Sequence, residues 1–152
     1  MDRIDYKILR ELQANGRLTN QELADRVNLS PSPCLRRLRN LEASGVIRGY
    51  AAIVDQKLYG LPVTVFVRIH LERHSAESVG IFENAVRGID EILECHLLTG
   101  NVDYQLRVVV DSLEAYERFM RDKIHKIPGI ASIDSSFAYG EIKRSLVYPM
   151  ME

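Results

Sequence analysis

The sequence predicts an α+β chain of two domains: an N-terminal helix-turn-helix of three short helices, then a C-terminal ferredoxin-like βαββαβ sandwich. Two observations carry this. The hydrophobic period changes from about 3.6 to 2 across a Gly- and Pro-containing stretch, Lys57 to Pro62. The charge also changes sign. Residues 1–49 hold nine Lys+Arg and six Asp+Glu (net +3), whereas residues 50–152 hold eleven and fifteen (net −4). Only this front segment is suited to meet a polyanion. The expected division is a domain at 1–49, a linker strand at 50–62 and a second domain at 63–152.

Bulk properties exclude several classes. Apolar residues make up 46% and charged residues 27% of the 152, ordinary globular usage. No apolar run approaches the ~20 residues of a membrane-spanning helix. The opening residues Met1 to Lys7 lack the apolar core of a signal peptide, so a cytoplasmic protein with no membrane partner is expected. Cys34 and Cys95 fall in different predicted domains and neither sits in a CxxC, which argues against a structural disulfide.

Ile4, Ile8, Leu9 and Leu12 share one helical face, and Asn15-Gly16 is expected to end that helix. Thr19 and Glu22 match a capping box for a second helix with Leu23, Ala24 and Val27 inward. Asn28-Leu29 makes a turn. Ser30 as N-cap and Pro31 at the first position start a third helix, in whose first turn Pro33 is tolerated. Leu35, Leu38 and Leu41 form its expected apolar stripe, Cys34 is read as a small core residue, and Ser44-Gly45 closes it. Val46 to Val54 reads as extended.

Val63, Val65, Val67, Ile69 and Leu71 then alternate with Thr64, Phe66, Arg68 and His70 as a half-buried strand. Ser75 caps a helix with Val79, Phe82, Val86 and Ile89 inward. Ile92–Leu98 and the alternating Tyr104, Leu106, Val108 and Val110 make two strands. Ser112 caps a helix with Leu113, Tyr116, Met120 and Ile124 inward, and Ile133, Phe137 and Ile142 mark a last, longer strand. One sheet face remains to be covered, and dimerisation through it, with Phe66 on that face, is the expected solution.

The second and third helices and the turn 28–31 have helix-turn-helix dimensions. Ser30, Ser32, Pro33, Arg36, Arg37 and Arg39 are the candidate contacts to double-stranded DNA. A recognition helix sets its first residues against base edges, arginines pair bidentately with guanine or phosphate, and the helix-start amides favour a phosphate. The same spacing also describes a plain three-helix bundle with a solvated basic face.

These motifs resemble those of the Lrp/AsnC, or feast/famine, regulators. The resemblance rests on Ile4-Asp5-Tyr6-Lys7-Ile8-Leu9, on Leu29 through Leu38, on Leu41-Glu42-Ala43-Ser44-Gly45-Val46-Ile47, and on Glu94 through Tyr104. It covers nearly the whole chain. It implies a winged DNA-binding domain, an amino-acid-binding ferredoxin-like domain, and a homo-oligomer built of dimers, commonly an octamer. It further implies that an amino-acid effector sits near the loop Thr99, Gly100, Asn101, Asp103 and Tyr104 at an interface between dimers, with Ser135, Ser136 and Phe137 helping to line it. Gly100 would allow close backbone approach, and Asp103 would pair an α-ammonium group. Residue types alone also describe a hairpin turn capped by Asp103. Where relatives often carry an acidic residue, this chain has Asn101, which removes a charge.

No catalytic residue, metal site or cofactor is expected. His70, His74, His96 and His125 lack convergent ligand spacing, and no P-loop, GxSxG or GxGxxG is present. Two alternatives share the architecture: a sirohaem decarboxylase-like enzyme and an amino-acid-binding module that does not bind DNA.

Overall fold

In the computed structural model, which describes residues 1–150, the chain divides into two compact units. The first comprises Met1–Ile53 with residues 142–150; the second is Val54–Glu141.

The first unit holds α1 (Arg3–Ala14), α2 (Asn20–Val27) and α3 (Pro31–Ala43). Asp2 caps α1, accepting from the Ile4 and Asp5 amides, and Asp5 reaches back to the Asp2 amide. The Thr19–Glu22 capping box forms on α2 as expected. Helix α1 ends at Asn15 as expected, but that cap is in extended backbone and Gly16 has no left-handed role. Left-handed backbone instead follows the other two helices, at Asn28 (φ 56°) after α2, where a short polar side chain tolerates that conformation, and at Gly45 (φ 75°) after α3. Ile8, Leu23, Ala24, Val27, Cys34 and Leu41 form the core.

The stripe on α3 is Cys34, Leu38 and Leu41, not Leu35, Leu38 and Leu41. At 100° per residue a spacing of three drifts round the helix, whereas Cys34, Leu38 and Leu41 keep to one side. Leu35 is half-buried on the flank. Val46 to Val54 forms no regular strand. Residues 142–150 belong with this unit, where the Tyr148 amide donates to Gln13 Oε1 at 2.8 Å.

The second unit is a four-stranded antiparallel sheet in the order β2-β3-β1-β4, from β1 (Val63–Leu71), β2 (Ile92–Leu97), β3 (Tyr104–Val110) and β4 (Ile130–Phe137). That is the ferredoxin-like order of a split βαβ pair. Helices α4 (Ala76–Arg87) and α5 (Leu113–Phe119), the latter continued by a π-turn at Met120–Ile124, cover one face. Val65, Val67, Ile69, Leu106 and Val108 meet Phe82, Tyr116, Phe119 and Ile124 there. Leu113 is exposed rather than inward, because Ser112 caps the helix and leaves its first residue at the rim. The last strand ends at Phe137, and Ile142 is fully exposed beyond it. The opposite sheet face carries Phe66 between two ion pairs, Arg68–Asp134 (3.0 Å) and Arg107–Glu94 (2.8 Å).

Candidate functional site

The start of α3 is chemically unusual. Ser30 is the N-cap, yet its side chain makes no capping bond. An N-cap oxygen accepts from the second or third helical amide. Here the third position is Pro33, which has no N–H, and Pro31 removes the first. Of the first three positions only Ser32 offers an amide. The expected cluster of phosphate-binding amides is therefore reduced to one, while the Ser30 hydroxyl has no hydrogen bond among the described residues. The Asn20 side chain donates Nδ2–H to the Pro31 carbonyl at 2.9 Å.

Ser32, Arg36, Arg39 and Asn40 share the outer face of α3, and all four are exposed. No carboxylate among the described residues pairs with Arg36 or Arg39. Pro33 is half-buried beside them. Arg37 behaves differently: its Nη1 lies 2.7 Å from Asp2 Oδ2 and 2.8 Å from Asp5 Oδ1. Backbone amide bonding, from Asp5 foremost, and the Arg37 guanidinium hold the Asp2 carboxyl below its ordinary range. The two carboxylates raise Arg37 in turn, Asp5 first. Cys34 is fully buried, and burial pushes its thiol up.

The loop between β2 and β3 is closed by the Leu98 amide donating to the Asp103 carbonyl at 2.9 Å. The backbone amides of residues 99–102 find no partner among the described residues. Gly100 sits at φ 117°, which disfavours any side chain, and the space beside it is open. Thr99 and Asn101 are exposed. Asp103 already has one commitment: Oδ2 accepts from the Leu71 amide at 2.8 Å. Leu71 lies where the β1–β4 register shifts, so the carboxylate satisfies an amide beside an irregular stretch of the ladder. Asp103 Oδ1 stands 3.4 Å from His74 Nδ1.

Tyr104 is a core residue, only 2% exposed, packed on Phe82 with its hydroxyl on Glu83 at 3.1 Å. Burial, then that carboxylate, pushes it up to about 12. Ser135 and Phe137 lie on the helix-covered face. Ser135 Oγ is 2.6 Å from the Tyr116 hydroxyl, and Phe137 meets the Tyr116 ring edge-on at 5.1 Å. Ser136 points to the opposite face beside Phe66. One chain does not gather these groups. Tyr104 pairs with Ile69 and Ile69 with Ile133, while Phe137 lies four residues further along β4. The separation is roughly 16 Å, from about 4.8 Å per strand and about 3.3 Å per residue.

Residues 1–48 match the family model for a winged helix-turn-helix DNA-binding domain, and residues 64–148 match that of the Lrp/AsnC ligand binding domain. The chain belongs to the Lrp/AsnC family. It is thus a DNA-binding transcriptional regulator with an amino-acid-binding domain, in the family's winged-helix and α+β architecture. It is 40% identical over 145 residues to the leucine-responsive regulatory protein of Klebsiella pneumoniae, covering 95% of this chain and 88% of that one. A Neisseria meningitidis transcriptional regulator solved in complex with L-Met superposes with a TM-score of 0.93 at 41% identity, over 98% of this chain and 96% of that one. An AsnC family regulator from Agrobacterium tumefaciens gives 0.93 at 42% identity, over 98% and 97%.

Two features of this Lrp/AsnC chain have little signal in the sequence. The Asp2–Asp5–Arg37 cluster had a local signal, an Asp-x-x-Asp before the first apolar stripe, but nothing in the sequence pairs it with a residue thirty-five positions away. Asn40 completes the outer face and would have emerged from a 100° wheel centred on Cys34 rather than Leu35.

Proposed function

We propose that the face of α3 built from Ser30, Ser32, Pro33, Arg36 and Arg39 enters the major groove of double-stranded DNA, and that Arg37 braces the helix against α1. The observation that carries this reading is the pair Arg36 and Arg39, exposed together on one face with no carboxylate among the described residues paired to either. A guanidinium that no carboxylate neutralises keeps its full attraction for phosphate and its fork for a guanine edge. Arg37, read from the sequence as a contact, has two carboxylates in place of a phosphate.

The effector is an apolar L-amino acid. The open amides at Thr99, Gly100 and Asn101 suit its carboxylate, and Asp103 Oδ1 its ammonium group. Leu97 and Leu98, exposed at the edge of the same loop, suit an apolar side chain. A leucine-responsive relative and a methionine-bound neighbour support this choice. Ser135, Ser136 and Phe137 line the site only across copies, so the working form is a homo-oligomer of two-fold dimers. The protein acts in the cytoplasm, by binding and without chemistry or cofactor of its own.

The test is a thermal-shift screen of the full chain against the twenty amino acids, followed by gel shifts with and without the best ligand. Stabilisation by methionine or leucine, with altered DNA affinity, is expected. No amino acid raising the melting temperature would defeat the effector reading. A purified protein that ignores DNA yet bleaches or shifts the spectrum of an added tetrapyrrole would favour the enzyme.

A further inference from the structure

Asn20 is the first residue of α2, Pro31 the first of α3, and the Nδ2–H to carbonyl bond between them joins the openings of the two helices. It is the one side-chain hydrogen bond between α2 and α3 among the described residues. The start of α3 has few other ties, because Ser30 makes no cap and the amides of Pro31 and Pro33 do not exist. The second observation is Asn20 Oδ1, a buried oxygen that no donor among the described residues reaches. Turning the amide over would set Oδ1 against the Pro31 oxygen and lose the bond, so the orphaned oxygen follows from keeping Nδ2 in place. Buried polar atoms are normally paired, and breaks in such local rules concentrate where a site demands them.

We infer that Asn20 is a positioning residue for sequence readout, setting the seat of the first turn of α3 without itself touching DNA. The inference rests on the outer face of α3 entering the groove. Attraction of arginine for phosphate tolerates small displacements and carries no sequence information. Contacts from Ser30, Ser32 and Pro33 to base edges require placement to within about 0.5 Å. Loss of the Asn20 bond therefore lowers discrimination more than it lowers general affinity.

The experiment uses the full chain, a duplex selected by the wild-type protein from a randomised library, and poly(dI-dC) as random DNA. Asn20→Ala removes the amide. Asn20→Asp keeps its size, removes the donor and adds a charge that favours the first turn of α2, so it controls for folding. Both variants are expected to lower the ratio of selected to random affinity at least about tenfold, within the span that separates specific from non-specific binding. The salt slope on random DNA stays unchanged. An unchanged ratio in both variants overturns the inference, as does a parallel loss on both DNAs that tracks a lower melting temperature. Arg36→Ala separates the two ideas. If it leaves affinity for both DNAs intact, the groove reading fails and this inference with it. If it weakens binding while the Asn20 ratios hold, only the inference fails.

Discussion

Arg37 Nη1 lies 2.7 Å from Asp2 Oδ2, and Asp2 is also the N-cap of α1, so one carboxylate both starts the first helix and holds the third. An arginine held in this way has carboxylates on its fork where a phosphate would otherwise sit. Arg37→Ala is therefore expected to lower the melting temperature, while costing less DNA affinity than Arg36→Ala, which should lose at least about tenfold through one charge-assisted contact. Circular dichroism melts and fluorescence anisotropy check this. An Arg37→Ala variant that melts normally but binds as poorly as Arg36→Ala would return Arg37 to the interface.

The same cluster sets an acid limb. Asp2 has a folded-state pKa below its ordinary 3.8, from amide bonding led by Asp5 and from Arg37. Glu22 lies below 4.5, led by the Thr19 amide. A carboxyl depressed in the folded state stabilises fully above its unfolded pKa and loses that contribution as pH falls through the folded value. Stability of the N-terminal unit should thus fall below about pH 4. Asn caps as well as Asp, so Asp2→Asn should flatten its part of this limb without unwinding α1. Urea denaturation at a series of pH values gives the readout, and an identical acid limb in the variant would show that Asp2 does not titrate as described.

Much of this was legible beforehand because it is local. The Thr19–Glu22 box, the period change near residue 60 and the alternation of β1 and β3 each depend on residues within a few positions, and each formed where expected. What escaped depends on distance or on competition. Asp103 presents the same residue type whether it caps a turn, takes the Leu71 amide or awaits a ligand. Tyr104 alternates correctly as a core residue, but the bond from its hydroxyl to Glu83 has no local signal. The prolines of α3 fit its first turn, but the capping bond that Pro33 denies to Ser30 depends on where the helix starts.

Asp103 now demands a finer probe than alanine, which would also orphan the Leu71 amide at the strand irregularity. Asp103→Asn can keep an oxygen on Leu71 while losing the charge. Calorimetry is expected to show at least about tenfold weaker binding of methionine or leucine, about 1.4 kcal/mol, with near-normal stability. Unaltered effector affinity would remove Asp103 from the pocket.

Phe82 anchors the second unit, fully buried with its ring 4.6 Å from that of Tyr104. Phe82→Ala should cost about 3–5 kcal/mol, through lost burial and the cavity left behind. Urea denaturation followed by circular dichroism measures it. A cost under about 1 kcal/mol would mean that the neighbouring helix and sheet close over the gap.

The most direct measurement is the salt dependence of binding to random duplex for the wild type and for Arg36→Ala combined with Arg39→Ala. If both arginines meet phosphate or base edges in the groove, the variant binds more weakly and its slope of log K against log salt is shallower by up to about 1.8, at roughly 0.9 per phosphate contact. Identical slopes and affinities would place the DNA-binding face elsewhere on the molecule.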